Sequence, residues 1–129
     1  MRLDHIGIAV SSIDEKLKTW QQCFGIELRA IEEVPDQKVR VAVLPVGDVN
    51  IELLEPLGDD STVRKFIDKR GEGVHHLCFE VADIEKVLSD MRAKGIVLID
   101  EKPRVGASGK RIAFIHPKST GGVLIELTE

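Results

Sequence analysis

The chain reads as an α+β protein built from two βαβββ modules that form a curved mixed sheet around a cleft. Three observations predict this. Leu3-Asp4-His5-Ile6-Gly7-Ile8-Ala9-Val10 is echoed 71 positions later by Val74-His75-His76-Leu77-Cys78-Phe79-Glu80-Val81. Each echo is followed by a helical apolar stripe. Each half then closes alike, in Val49-Asn50-Ile51-Glu52-Leu53-Leu54-Glu55 and in Val123-Leu124-Ile125-Glu126-Leu127-Thr128-Glu129. The offset is 71 residues for the opening motif and 74 for the closing one, a difference one small loop insertion accounts for, and such self-similarity marks a duplicated structural unit.

The elements follow in order. Strands are expected at Leu3–Val10, Ile26–Val34, Lys38–Val46 and Asn50–Leu54, and again at Val74–Val81, Ile96–Ile99, Arg111–His116 and Gly122–Leu127. The first helix carries Ile13, Leu17, Trp20 and Phe24 on one stripe, and the second carries Ile84, Val87, Leu88 and Met91. Such spacing suits amphipathic helices packed on a sheet. Ser12 with Glu15 offers a capping box, and Asp83 offers an N-cap. Gly25 and Gly95 supply the left-handed stops. Repeat one covers about 1–57 and repeat two about 73–129. A linker helix at about 61–71, with Val63, Phe66 and Ile67 on its apolar side, joins them. A single domain over 1–129 is expected, because neither half is long enough to bury its sheet alone.

Strand residues alternate faces. Ile6, Ile8 and Val10 share the face that packs on a helix; His5 lies on the other. Leu77, Phe79 and Val81 oppose His76. Ile51 and Leu53 oppose Glu52, while Ile125 and Leu127 oppose Glu126. So His5, Glu52, His76 and Glu126 all sit on the face turned away from the helices. A lone histidine or glutamate on a strand is ordinarily structural or solvated. Recurrence of both at matched positions of two repeats points instead to one divalent-metal site. Imidazole and carboxylate donors suit cobalt, nickel, manganese, zinc or iron. Four protein ligands leave two octahedral positions for water or substrate, which signals catalysis. His75 falls on the opposite parity and reads as a supporting residue. His116 has no partner in the first half.

The bulk properties exclude other classes. Eighteen basic and 22 acidic residues give a net charge of −4, which provides no broad basic field for nucleic acid. No apolar run reaches the roughly 18 residues of a membrane span, and the first residues lack a signal-peptide core. A cytoplasmic location is expected. Cys23 and Cys78 form no CxxC pair and read as reduced, buried thiols.

These residues resemble the vicinal oxygen chelate (glyoxalase/bleomycin resistance/dioxygenase) superfamily and, within it, the methylmalonyl-CoA epimerases. The carrying motifs are Leu3–Val10, Glu33-Val34-Pro35-Asp36-Gln37-Lys38-Val39, Ile51–Pro56, Gly73-Val74-His75-His76-Leu77, and His116-Pro117-Lys118-Ser119-Thr120-Gly121-Gly122 running on to Leu127. The paired-histidine and His-Pro-Lys-Ser segments are the more specific. The resemblance implies a glyoxalase-like fold and His5, His76 and Glu126 as metal ligands, with Glu52 where some epimerases carry glutamine. It favours cobalt, with zinc, manganese, nickel or magnesium as other choices and no organic cofactor. It also implies a homodimer.

The implied reaction interconverts (R)- and (S)-methylmalonyl-CoA by proton abstraction at C2, through a metal-stabilised enolate. Glu126 is the main base and Glu52 a second candidate. One departure stands out. A second base that some relatives place on the third strand falls here at Val41, which cannot accept a proton. Gln37 and Ser119 are expected to contact substrate, and Lys110, Arg111 and Lys118 its phosphates or carboxylate. The Gly106–Gly109 stretch reads as a flexible loop. Rival readings are a glyoxalase I-type lactoylglutathione lyase and a non-catalytic bleomycin-resistance-type binding protein.

Overall fold

The computed structural model describes residues 1–129. It contains two compact units. One comprises His5–His75, and the other Met1–Asp4 with His76–Glu129.

In the His5–His75 unit the elements are β1 (Arg2–Ala9, whose first residues count with the other unit), α1 (Ile13–Phe24), β2 (Ala30–Val34), β3 (Val39–Val46), β4 (Val49–Pro56) and α2 (Thr62–Arg70). The strands lie in the order β2-β3-β4-β1. β1 runs parallel to β4, and β3 runs antiparallel to both β2 and β4. The predicted alternation holds. Val10, Ile13, Ala42, Leu44 and Leu53 form the core, with Ile8, Leu17, Trp20 and Ile51 packed against it. Leu53 is fully buried, so its truncation to alanine costs about 2–5 kcal/mol. The Ser12 hydroxyl accepts the Glu15 N–H, and Gly25 closes α1 at φ 65°.

Two expectations about α1 fail at its last turn. Phe24 is 63% exposed and only leans on Trp20, at 5.2 Å between ring centres. Cys23 is exposed, not buried. Both sit where the helix runs past the edge of the packed surface. The linker helix α2 spans Thr62–Arg70, inside the expected 61–71, and is capped by Ser61.

The second unit contains β5 (Gly73–Glu80, whose first residues count with the other unit), α3 (Ile84–Ala93), β6 (Arg104–Val105), β7 (Arg111–Ile115) and β8 (Ile125–Thr128). Its strand order is β5-β8-β7-β6, with β5 parallel to β8 and the other pairs antiparallel. Val81, Ile84, Leu88, Ala113, Ile115 and Leu127 make its core. Asp83 caps α3 through the Lys86 N–H. Both modules therefore have the βαβββ order.

The expected strand Ile96–Ile99 is not formed. Leu98 makes one isolated bridge to Ile115. Ile99 and Asp100 both donate to the Phe114 carbonyl, and the Asp100 carboxylate takes the Phe114 N–H. Two donors on one carbonyl break the ladder, so pairing moves on to Arg104–Val105. The loop after it is also tighter than expected. Gly106 is buried and its N–H donates to the Lys110 carbonyl at 2.8 Å.

A second matched device holds each helix to its sheet. The Ile13 N–H donates to Glu55, and the Ile84 N–H donates to Glu129. Arg40 bridges Glu55 and Asp14, as Arg111 bridges Glu129 and Glu85. No helix is long and apolar enough to cross a membrane.

Candidate active site

The alternation that buries Leu53 against α1 turns Glu52 to the opposite face of β4. Glu52 registers against Gly7 of β1 and Val43 of β3. There Glu52 Oε2 lies 3.1 Å from His5 Nδ1, with only 8% and 10% of the histidine and glutamate side chains exposed. The other unit repeats this arrangement. Leu127 faces the helix side, so Glu126 faces away, in register with Cys78 and Phe114. Glu126 Oε2 lies 2.9 Å from His76 Nε2, with side-chain exposures of 9% and 5%. Phe114 meets the His76 ring edge-on at 5.8 Å and fixes its tilt.

Each unit thus buries one imidazole beside one carboxylate. A buried carboxylate must be paired, hydrogen-bonded or bound to a cation. In each unit one nitrogen and one oxygen donor, already desolvated and held by strands, are of the kind that suits a divalent ion of hard-to-borderline character. The chemistry available to each pair is ligation by nitrogen and oxygen, and proton transfer at a carboxylate.

The other expected residues fall as follows. His75 is half-buried and packs edge-on against Phe66 of α2 at 4.9 Å. His116 Nδ1 accepts the Lys118 N–H and caps the 3-10 turn Pro117–Ser119. Ser119 Oγ accepts the Val97 N–H at 2.9 Å. Lys118 is exposed in the same turn, and Gln37 is half-buried in the 3-10 turn Pro35–Gln37. Arg111 shares its parity with the core residues Ala113 and Ile115, and its guanidinium is held by Glu85 and Glu129. The structure therefore places Arg111 on the helix side, not on the face of Glu126. Lys110 lies 4.0 Å from Asp4 and 3.9 Å from Glu80.

Sequence reasoning missed the charged cluster that receives Lys110. Arg2 bridges Asp4 at 3.1 Å and Glu80 at 3.2 Å. Hydrogen bonding to Glu80 raises the Arg2 guanidinium above its ordinary value. The signal available was Arg2 and Asp4 spaced by two on one strand, which puts both on one face.

The comparisons agree with this architecture. The Glyoxalase/Bleomycin resistance protein/Dioxygenase superfamily profile matches residues 4–114. The chain is 36% identical to the mitochondrial methylmalonyl-CoA epimerase of Homo sapiens, over 99% of this chain and 73% of that protein. Methylmalonyl-CoA epimerase from Mycobacterium tuberculosis superposes with a TM-score of 0.95 at 41% identity, covering 99% of this chain and 87% of that one. A variant of the Streptomyces coelicolor methylmalonyl-CoA epimerase, solved with 2-nitronate-propionyl-CoA, gives a TM-score of 0.95 at 40% identity, covering 99% and 93%. The chain belongs to the glyoxalase/bleomycin resistance/dioxygenase superfamily, in the branch that holds the methylmalonyl-CoA epimerases.

Proposed function

We propose that the protein is a methylmalonyl-CoA epimerase in which His5, Glu52, His76 and Glu126 together hold one divalent metal. The observation that carries this is the buried histidine–glutamate pair repeated at matched positions of both units. Near-full-length similarity to epimerases, one of them solved with a nitronate analogue of the substrate, supports the substrate class. Residues 1–129 then act as a single working domain, since each repeat supplies half of the ligands.

When bound, the ion supplies Lewis-acid stabilisation of the negative charge that grows on the thioester oxygen as C2 loses its proton. The residues do the rest. Glu126 takes the C2 proton, and its burial keeps bulk water from competing for it. Glu52 offers a second carboxylate of the same set. His5 and His76 orient the two carboxylates through the contacts described above. Gln37, Lys110, Lys118 and Ser119 contact the acyl-CoA, with the exposed lysines suited to its phosphates. Cobalt is the favoured ion and a homodimer the favoured assembly, both on the strength of the family resemblance.

The test is C2 deuterium exchange and epimerisation of methylmalonyl-CoA by protein stripped of metal and then reloaded. Exchange that depends on adding cobalt, manganese, nickel or zinc is expected. Its absence with every ion would overturn the proposal. Turnover of the glutathione–methylglyoxal adduct by the same sample would favour the lyase.

A further inference from the structure

Inversion at C2 needs a proton removed from one face of the planar enolate and another delivered to the opposite face. That calls for a second acid–base group beyond the base of the ligand set. The register of β2, β3 and β4 singles out one residue for it. Glu52 stands opposite Val43 on β3, and Val43 opposite Ala30 on β2. One row along, Leu54 stands opposite Val41, and Val41 opposite Glu32. Ala42 and Leu44 belong to the helix-side core, so Val41 and Val43 lie on the face of Glu52, and Glu32 shares it by pairing with Val41.

On this face, β1 to β4 of the His5–His75 unit carry two carboxylates, Glu52 and Glu32. Between them lies an apolar floor. Val41 is 2% exposed and Val43 6%. Glu32 itself is half-buried, while its strand neighbours Ile31 and Glu33 are exposed. Two strand spacings of about 4.8 Å and two rises of about 3.4 Å separate the α-carbons of Glu52 and Glu32. The Glu52 carboxylate turns toward His5 on β1, and the apolar floor of Val41 and Val43 lies between it and Glu32.

We propose that Glu32 is the second catalytic acid–base residue. This rests on the epimerase function proposed above. In one direction the ligand-set carboxylate takes the C2 proton, the C2–H bond breaking as an O–H bond forms. A protonated Glu32 then gives its proton to the other face of C2, restoring a C–H bond of inverted configuration. In the reverse direction the two exchange roles. No electrons are gained or lost; the ligand-set carboxyl then releases its proton to water and Glu32 regains one from water.

The test compares the wild-type protein, Glu32→Gln, and the double variant Glu32→Gln with Val41→Glu, each loaded with metal and given (R)- or (S)-methylmalonyl-CoA in deuterated water. Metal binding is measured alongside. Glu32→Gln is expected to bind metal like the wild type and to epimerise at least ~100-fold more slowly. It should still exchange C2 hydrogen of one enantiomer, with retention. The double variant, with its carboxylate one strand inward, should recover part of the inversion. Epimerisation by Glu32→Gln within a few-fold of wild type would overturn the assignment. So would equal loss of exchange from both enantiomers without rescue. A wild-type protein inert on methylmalonyl-CoA would instead remove the epimerase function, and the role of Glu32 with it.

Discussion

Glu129 Oε2 accepts the backbone N–H of Ile84 at 2.7 Å, so the end of β8 holds the first turn of α3. A carboxylate there satisfies one of the free amides of the helix start and complements its dipole. Glu55 does the same for Ile13 at 3.1 Å. Replacing Glu129 with alanine should cost about 1 kcal/mol, as the loss of a helix cap does, read as a lower urea midpoint. Arg111 belongs to the same clamp. Arg111→Ala should lower stability and leave the apparent KM for acyl-CoA within about two-fold of wild type, the neutral outcome expected where no phosphate contact is lost. A much higher KM with unchanged stability would move Arg111 into the substrate site.

Gly106 has no room for a side chain. A Cβ there would lie 2.8 Å from two carbons of Ile112, which is itself buried. Its φ is −116°, so the constraint is space and not backbone handedness. Gly106→Ala should cost about 1–3 kcal/mol by overpacking, seen as a drop in Tm. An unchanged Tm would mean that Ile112 moves aside freely.

Glu72 ties the start of the first helix to the end of the linker. Its carboxylate accepts the Ser11 N–H at 2.8 Å and lies 3.4 Å from Lys16. The backbone hydrogen bond, then Lys16, holds it below the ordinary glutamate value. A depressed folded-state value adds stability above the unfolded value and loses it as pH falls through the folded one. Glu72→Gln should therefore lower stability slightly at neutral pH, by a few tenths of a kcal/mol because the pair is well solvated. It should also flatten the loss of stability in acid. A variant with the wild-type acid profile would contradict this.

Much of the architecture was legible because alternation and repetition speak directly to strand geometry. His5, Glu52, His76 and Glu126 could be placed on the helix-free face from their apolar neighbours alone. The linker helix was legible from its apolar stripe of Val63, Phe66 and Ile67. What the sequence hid depends on contacts that no local pattern announces. Ile96–Ile99 is rich in β-branched residues, yet Asp100 diverts its pairing at Phe114. Phe24 and Cys23 looked like core, but the helix outruns the surface that would cover them. The register that puts Glu32 beside Val41 is set by a turn in which Lys38, not a glycine, takes φ 54°. A lysine gives no signal for that conformation.

The most direct measurement is calorimetric titration of a divalent ion into metal-free protein, with the wild type, His5→Ala and His76→Ala side by side. Two repeats that share one ion predict a stoichiometry of one ion per chain, and a loss of binding of about ten-fold or more in either variant, although the substitutions lie in different halves. Two ions per chain, or binding that survives the loss of His5 or of His76, would contradict the shared site.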